Sequence, residues 1–160
     1  TRALLMFLRQ LKSGEREVTA PVYDHVTYDI LPDEVVTVRQ PDIVIVEGLN
    51  MLQVHSTGDE FVSDYFDFSI YVDADEADIE EWYVARFFKL RETSFSHPNS
   101  FFRHYAGLSD DEAEATARYI WSSINGRNLR ENIAPTRDRA SLVLRKERDH
   151  RISSVKLRKI

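Results

Sequence analysis

The feature that most constrains the fold is a run of four consecutive β-branched residues. Ile43 to Val46 read Ile-Val-Ile-Val, and Glu47 and Gly48 follow directly. Such a run is typical of a strand that is buried on both faces and ends in a turn. The sequence therefore predicts a central parallel strand over these four residues.

A second strand and a long helix are predicted downstream of this run. The segment from Phe66 to Asp73 has the pattern of a strand and ends in a carboxylate, as the first strand does. Asp75 and Glu76 follow, and acidic side chains of this kind are favourable in the first turn of a helix. Apolar side chains recur at helical spacing from Asp78 to Phe95, which predicts an amphipathic helix. Two such strands favour an α/β sheet.

The first forty residues are predicted to hold one helix end and then irregular structure. Leucines recur at helical spacing near the start, and Gly14 closes that helix. Residues 15–40 contain short extended pieces interrupted by prolines, which favours loop and edge structure.

The last third of the chain is predicted to be helical and then to form a hairpin. Ser109 to Glu112 have the pattern of a capping box, which opens a helix running to about Asn125. A further helical turn is expected from Asn128 to Ile133. The alternating segments 140–146 and 153–159 flank a polar turn and predict a terminal hairpin.

Composition excludes several classes of protein. The 160 residues, 42% hydrophobic and 30% charged, suit a single globular segment over 1–160. Because 21 Lys and Arg stand against 27 Asp and Glu, the net charge of −6 argues against nucleic acid as a partner. Cysteine is absent, which excludes disulfides and thiolate metal sites. No run is long and apolar enough for a membrane span, so a cytoplasmic protein is expected.

The carboxylate of Glu47 is a candidate metal ligand. It follows a predicted buried strand, and ligands of open α/β sheets bind at the carboxyl ends of the strands. A carboxylate there can hold Mg²⁺ directly or through water. The alternative is a structural role, in which Glu47 caps a helix or pairs with an arginine.

Two further groups of residues suggest ligand binding. Tyr23, His25 and Tyr28 offer hydroxyl and imidazole groups that suit a small polyol or a carboxylate, although a loop histidine can equally be solvated. Arg86 is the only basic residue predicted on the apolar face of its helix. It either pairs with one of the ten acidic residues in 59–81 or holds an anionic ligand.

The remaining candidates each have a structural alternative. An apolar wall would be formed by Phe87, Leu90, Phe95, Phe101 and Phe102, and the same pattern suits plain core. Asn125 precedes Gly126 and has the place of a helix C-cap. His150 lies in the turn of the terminal hairpin, where it can stack on an adenine or face water.

Five blocks of the chain resemble the bacterial type I pantothenate kinases, with the actinobacterial members most similar. They are Pro21-Val-Tyr-Asp-His-Val-Thr-Tyr-Asp-Ile, Val46-Glu-Gly-Leu-Asn-Met-Leu-Gln, Val62-Ser-Asp-Tyr-Phe-Asp-Phe-Ser-Ile-Tyr-Val-Asp-Ala, Trp82-Tyr-Val-Ala-Arg-Phe and Asn132-Ile-Ala-Pro-Thr-Arg-Asp-Arg-Ala. The resemblance implies a P-loop kinase fold with a mainly parallel sheet. It also implies transfer of the γ-phosphoryl group of ATP to pantothenate with Mg²⁺, inhibition by coenzyme A, and a homodimer.

The resemblance also implies roles for individual residues. Positions matching pantothenate-contacting residues are Tyr23, His25, Tyr28, Tyr83, Arg86 and Asn125, and Arg86 would also stabilise charge on the transferred phosphoryl group. Positions matching the wall around pantothenate or the pantetheine arm of coenzyme A are Tyr83, Phe87, Leu90, Phe95 and Phe102. His150 matches a neighbour of the adenine. Leu90 and Phe101 stand where other members carry different residues.

One motif of such kinases does not occur in the sequence. None of the five glycines begins G-x-x-x-x-G-K-S/T, the loop that cradles phosphates, and the strand with the catalytic Asp of the family is missing as well. The chain therefore resembles the carboxyl-terminal half of the enzyme and is expected to be inactive alone. Alternatives are a non-catalytic module that binds coenzyme A or dimerises, and a uridine kinase-like or phosphoribulokinase-like phosphotransferase.

Overall fold

A computed structural model describes residues 2–54 and 60–159 as a mixed α/β structure with two sheets. The longer helices are α1 (Arg2–Lys12), α2 (Glu76–Glu92) and α3 (Asp110–Ile120). The strands are β1 (Val18–Asp24), β2 (Asp29–Val38), β3 (Ile70–Asp73), β4 (Leu142–Lys146) and β5 (Ile152–Leu157). Short 3₁₀ turns cover Val62–Tyr65, Ser94–Ser96, Arg103–Tyr105 and Ala134–Arg139. Across the described ranges, no helix combines the length and apolarity needed to cross a membrane.

The first sheet is an antiparallel hairpin of β1 and β2. Its register runs from Val18 opposite Val38 to Asp24 opposite Asp29, with an irregularity between Pro21 and Tyr23. The extended edge structure predicted over residues 15–40 is confirmed, but the loop predicted there is wrong for β1 and β2, because Pro21 does not prevent the two strands from pairing. A two-stranded sheet consists of edge strands, where a missing backbone N–H is tolerated.

The second sheet has the order β3-β4-β5 and confirms the α/β class. β3 and β4 are parallel, while β4 and β5 form the predicted terminal hairpin. The strand expected from Phe66 is shorter than predicted, because β3 begins only at Ile70. α2 follows β3 after Asp75, close to the predicted start, and the helical connection returns the chain to β4 in parallel.

The predicted central strand from Ile43 to Val46 is wrong in this structure. These residues belong to neither sheet, and the side chains of Ile43 and Ile45 are 81% and 89% exposed. A β-branched run favours a strand only where a neighbouring strand completes its hydrogen bonds. In the part of the chain that the structure describes, no strand pairs with this segment.

The apolar core lies in the helical region between α2 and α3. It is formed by Val84, Phe87, Phe95, Ala113 and Ala117. The capping box of α3 is confirmed: the Ser109 backbone N–H donates to Glu112 Oε2 at 2.9 Å, and the Glu112 backbone N–H donates to Ser109 Oγ at 3.4 Å.

The chain stays helical beyond α3, through two π turns. These cover Trp121–Asn125 and Leu129–Ile133, and Gly126–Asn128 lie between them. The predicted helical turn from Asn128 is confirmed, but a C-cap role for Asn125 is wrong. Gly126 has φ −65° and continues the helix, so no left-handed cap forms.

Candidate functional site

The turn between β1 and β2 brings three predicted site residues together. The ring centroids of Tyr23 and His25 are 5.2 Å apart, and those of Tyr23 and Tyr28 are 5.9 Å apart. All three side chains are exposed. Their hydroxyl and imidazole groups therefore form one solvent-accessible polar surface that can donate and accept hydrogen bonds.

An aromatic wall continues from this turn into the core. Tyr28 stacks on Phe101 with centroids 5.3 Å apart and meets the edge of Phe102 at 5.0 Å. Phe102 lies 5.4 Å from Phe95, which lies 5.4 Å from Phe87. Leu90 packs half-buried against the same core. The wall residues thus combine both roles considered from the sequence, since they form core at one end and an exposed surface at the other.

Tyr83 on α2 is the centre of a second group of predicted residues. Burial raises the pKa of the Tyr83 hydroxyl above its usual value. The neighbouring side chains of Asn125 and Arg86 offset only part of that rise. The Trp121 ring lies 5.7 Å from the Tyr83 ring. The π turn ending at Asn125 thus faces α2 at Tyr83, an arrangement that the sequence does not reveal. Irregular helical turns of this kind are frequent at functional sites.

Arg86 does not lie on the buried face of α2, contrary to the prediction. The buried residues of that helix are Val84 and Phe87, and Arg86 is exposed. Of the two alternatives left open by the sequence, the ion pair with an acidic residue does not form within the described ranges. Its exposed guanidinium can therefore receive an anionic ligand without displacing a carboxylate of residues 2–54 or 60–159.

His150 packs on a protein ring rather than projecting freely into water. Its imidazole stacks on Trp82 with centroids 4.7 Å apart, and Lys146 Nζ lies 4.6 Å from the Trp82 ring centroid. The Trp82 indole N–H donates to the Arg148 carbonyl at 3.1 Å, which holds the terminal hairpin on α2. The sequence did not predict the contact between Trp82 and His150, because these residues are 68 positions apart.

Glu47 is the carboxylate predicted as a candidate metal ligand. It is exposed, as expected of a carboxylate that follows an unpaired segment. Residues 2–54 and 60–159 contain no group of three or more His, Asp or Glu side chains placed to hold a metal ion. Mg²⁺ is usually held by one or two carboxylates together with water and substrate phosphates, so Glu47 could supply only part of such a site.

A cavity of about 340 Å³ opens elsewhere, on the polar face of the second sheet. Asp73 is held there by Arg137 and Arg145, each at 3.3 Å. Val143, Ser154 and Lys156 complete the lining. None of the predicted site residues lines this cavity.

Comparison with known proteins gives a consistent picture. The family described as "Phosphoribulokinase / Uridine kinase family" matches residues 2–91. The "Pantothenate kinase" of Haemophilus influenzae is 55% identical over 99% of this chain and 52% of its own length. Those of Corynebacterium efficiens and Pasteurella multocida are each 58% identical over 99% of this chain, covering 48% and 51% of their own lengths. The chain thus spans about half the length of these curated relatives.

A solved structure also shares the fold. The YGR205w protein has a TM-score of 0.57 with this chain at 16% sequence identity. The match covers 98% of this chain and 64% of that protein. At this identity the likeness concerns the fold alone.

Proposed function

Because the chain belongs to the phosphoribulokinase/uridine kinase family, we propose that it is the acceptor-binding part of a pantothenate kinase. The reaction is transfer of the γ-phosphoryl group of ATP to pantothenate, which gives 4'-phosphopantothenate, the first step toward coenzyme A. The observation that carries this proposal is identity of 55–58% to curated pantothenate kinases over 99% of the chain.

The two groups of site residues have the chemistry for a polar acceptor with an apolar arm. Pantothenate combines a carboxylate, hydroxyls and an amide. Matching hydrogen-bond donors and acceptors are offered by Tyr23, His25, Tyr28 and Asn125. Arg86 is exposed and unpaired in the described ranges, so its planar fork can offset negative charge on the transferring phosphoryl group.

The aromatic wall suits the inhibitor that the family resemblance implies. Phe87, Leu90, Phe95 and Phe102 would contact pantothenate or the pantetheine arm of coenzyme A. His150 would lie near the adenine, and its stacking on Trp82 supplies a preformed flat surface there. A homodimer and a cytoplasmic location complete the proposal.

The phosphate side of the reaction needs residues beyond those of this chain. ATP and Mg²⁺ are the proposed cofactors, and Glu47 is a proposed Mg²⁺ ligand, directly or through water. The sequence holds no Gly-rich loop that would cradle the phosphates, and in the described ranges Glu47 belongs to no group of three or more metal-ligating side chains. We expect the 160 residues alone to lack kinase activity.

The test is ADP release that depends on pantothenate, measured on the protein as its gene encodes it. Arg86→Ala is expected to lower kcat by about 100-fold, because removing one preorganised charge-stabilising donor has an effect of that order. Lys89→Ala is the matched control, since Lys89 is an exposed cation one turn further along α2. It should leave kcat within about twofold.

Three results would each contradict one part of the proposal. An Arg86→Ala rate equal to the wild-type rate would remove Arg86 from phosphoryl transfer. Pantothenate-dependent turnover of ATP by the 160 residues alone would show that the phosphate-binding loop is dispensable. A protein with no turnover that binds coenzyme A would instead support a non-catalytic module.

A further inference from the structure

The turn that carries His25 and Tyr28 is organised by one carboxylate, that of Asp24. Asp24 Oδ1 accepts a hydrogen bond from the Val26 backbone N–H at 3.1 Å. Asp24 Oδ2 accepts from the Thr27 backbone N–H at 3.0 Å and from the Thr27 hydroxyl at 2.8 Å. Both oxygens are therefore engaged, and together they satisfy two backbone donors that the hairpin ladder does not pair.

Tyr28 closes this turn in an unfavourable backbone conformation. Its φ is +61°, in the left-handed region that bulky side chains rarely adopt. The Tyr28 backbone N–H donates to the Asp24 carbonyl at 2.9 Å, so Asp24 holds Tyr28 through its main chain as well as holding the preceding residues through its side chain. Strain of this kind persists only where the surrounding contacts fix the backbone.

The same turn is attached to the aromatic wall. The Phe101 backbone N–H donates to the Val26 carbonyl at 2.9 Å, and Val26 is the residue that Asp24 Oδ1 holds. The Tyr28 ring then lies against Phe101 and Phe102. A change in the turn would therefore move His25 and Tyr28 relative to the wall, whereas the β1–β2 ladder would remain paired.

We propose that Asp24 is a positioning residue for the acceptor, because its carboxylate fixes the turn that presents His25 and Tyr28 beside the aromatic wall. This inference rests on the proposed function of the same site. The proposed role needs no contact between Asp24 and the acceptor. Asp24 acts on the acceptor only through His25 and Tyr28, which lie in the turn that it fixes. The hydrogen bonds from Val26 and Thr27 also lower the pKa of Asp24, because they stabilise the charged form of its carboxyl group.

The test compares three variants of the protein as its gene encodes it. Asp24→Ala removes all three side-chain hydrogen bonds and is expected to raise the KM for pantothenate about 10-fold. Asp24→Asn keeps one accepting oxygen and is expected to raise it by only about threefold. Asp33→Ala is the matched control, because Asp33 is an exposed carboxylate on β2 of the same hairpin. It should leave the KM for pantothenate within about twofold.

The remaining readouts separate positioning from general stability. We expect the KM for ATP, kcat and the melting temperature to stay close to wild-type values in Asp24→Ala. An unchanged KM for pantothenate would overturn the proposal. A parallel loss of kcat, ATP affinity and melting temperature in both Asp24 variants would also overturn it, since that pattern indicates a structural role alone.

The outcome for the wild-type protein distinguishes this inference from the function on which it rests. A wild-type protein that phosphorylates pantothenate while the Asp24 variants behave like Asp33→Ala contradicts the positioning role only. A wild-type protein that neither binds nor phosphorylates pantothenate contradicts the proposed function and the inference together. Calorimetric titration with pantothenate supplies the binding measurement for each variant.

Discussion

The helical region and the second sheet differ in how they cover their apolar side chains. The core between α2 and α3 encloses Phe87 and Phe95, which are 4% and 8% exposed. The sheet instead carries an open face, defined here by Ile70, Val72, Val155 and Leu157, all of which are exposed. The strand register places Ile70 in line with Leu157 and Val72 in line with Val155, so the four share one face.

The acceptor side of the proposed reaction and the second sheet therefore differ in how much apolar surface they leave exposed. The acceptor side consists of the β1–β2 turn, the aromatic wall and Tyr83 with its neighbours. The chain's own core packs the wall at Phe87 and Phe95, whereas Tyr28 and Phe101 at its outer end are exposed. The sheet side and the Glu47 segment leave apolar groups uncovered. Contiguous exposed apolar patches mark interaction surfaces or aggregation hazards, which agrees with a chain that spans about half the length of its relatives.

The largest expected effect comes from opening the covered region. Phe87→Ala removes a buried ring that contacts Phe95 and Tyr105, and it should lower the free energy of unfolding by about 3–5 kcal/mol. Val155→Ala on the open sheet face of the same 160-residue chain should change it by less than about 0.5 kcal/mol. Urea denaturation of both variants makes the comparison. Equal losses of unfolding free energy in the two variants would contradict this difference, because they would show that Val155 is as buried as Phe87.

An intermediate effect is expected at the start of α3. Ser109→Ala removes the side-chain acceptor of the capping box and should lower the free energy of unfolding by about 1 kcal/mol. Ser122→Ala is the control, because the Ser122 hydroxyl only donates to the Tyr119 carbonyl within the helical segment. Thermal unfolding followed by circular dichroism is the measurement. A Ser109→Ala protein as stable as Ser122→Ala would contradict the role of the cap.

The smallest effect on stability is expected from a substitution on the open sheet face. Such a substitution should change self-association of the protein rather than its stability. Val155→Lys places a charge among exposed apolar groups, and charged residues of this kind oppose edge-to-edge and face-to-face association. We expect weaker concentration-dependent self-association in sedimentation velocity, with the melting temperature nearly unchanged. Ser154→Lys lies on the opposite face and serves as the control. Equal association of the two variants would exclude the open face as the contact surface.

Local signals predicted the structure well where a single segment determines it. The capping box at Ser109 and Glu112 needs only residues three apart, and it forms as expected. The start of α2 after Asp75 depends on an equally local pattern. The run from Ile43 to Val46 shows the opposite case, because a strand requires a neighbour that a local pattern does not supply.

The candidate site was predictable in its residue types but not in its contacts. The sequence identified Tyr23, His25 and Tyr28, yet gave no sign that Asp24 organises their turn or that Tyr28 adopts a left-handed conformation. Arg86 is exposed because α2 packs against α3 through Val84 and Phe87. The sequence of α2 alone does not determine which of its faces packs against α3. The stacking of His150 on Trp82 is likewise a contact between distant segments.

The most direct test of the central claim is calorimetric titration of the encoded protein with pantothenate and, separately, with uridine. The account predicts saturable binding of pantothenate and none of uridine. It also predicts that Asn125→Ala weakens pantothenate binding about 10-fold, while Asn128→Ala leaves it unchanged. Binding of uridine with no heat from pantothenate would contradict the account.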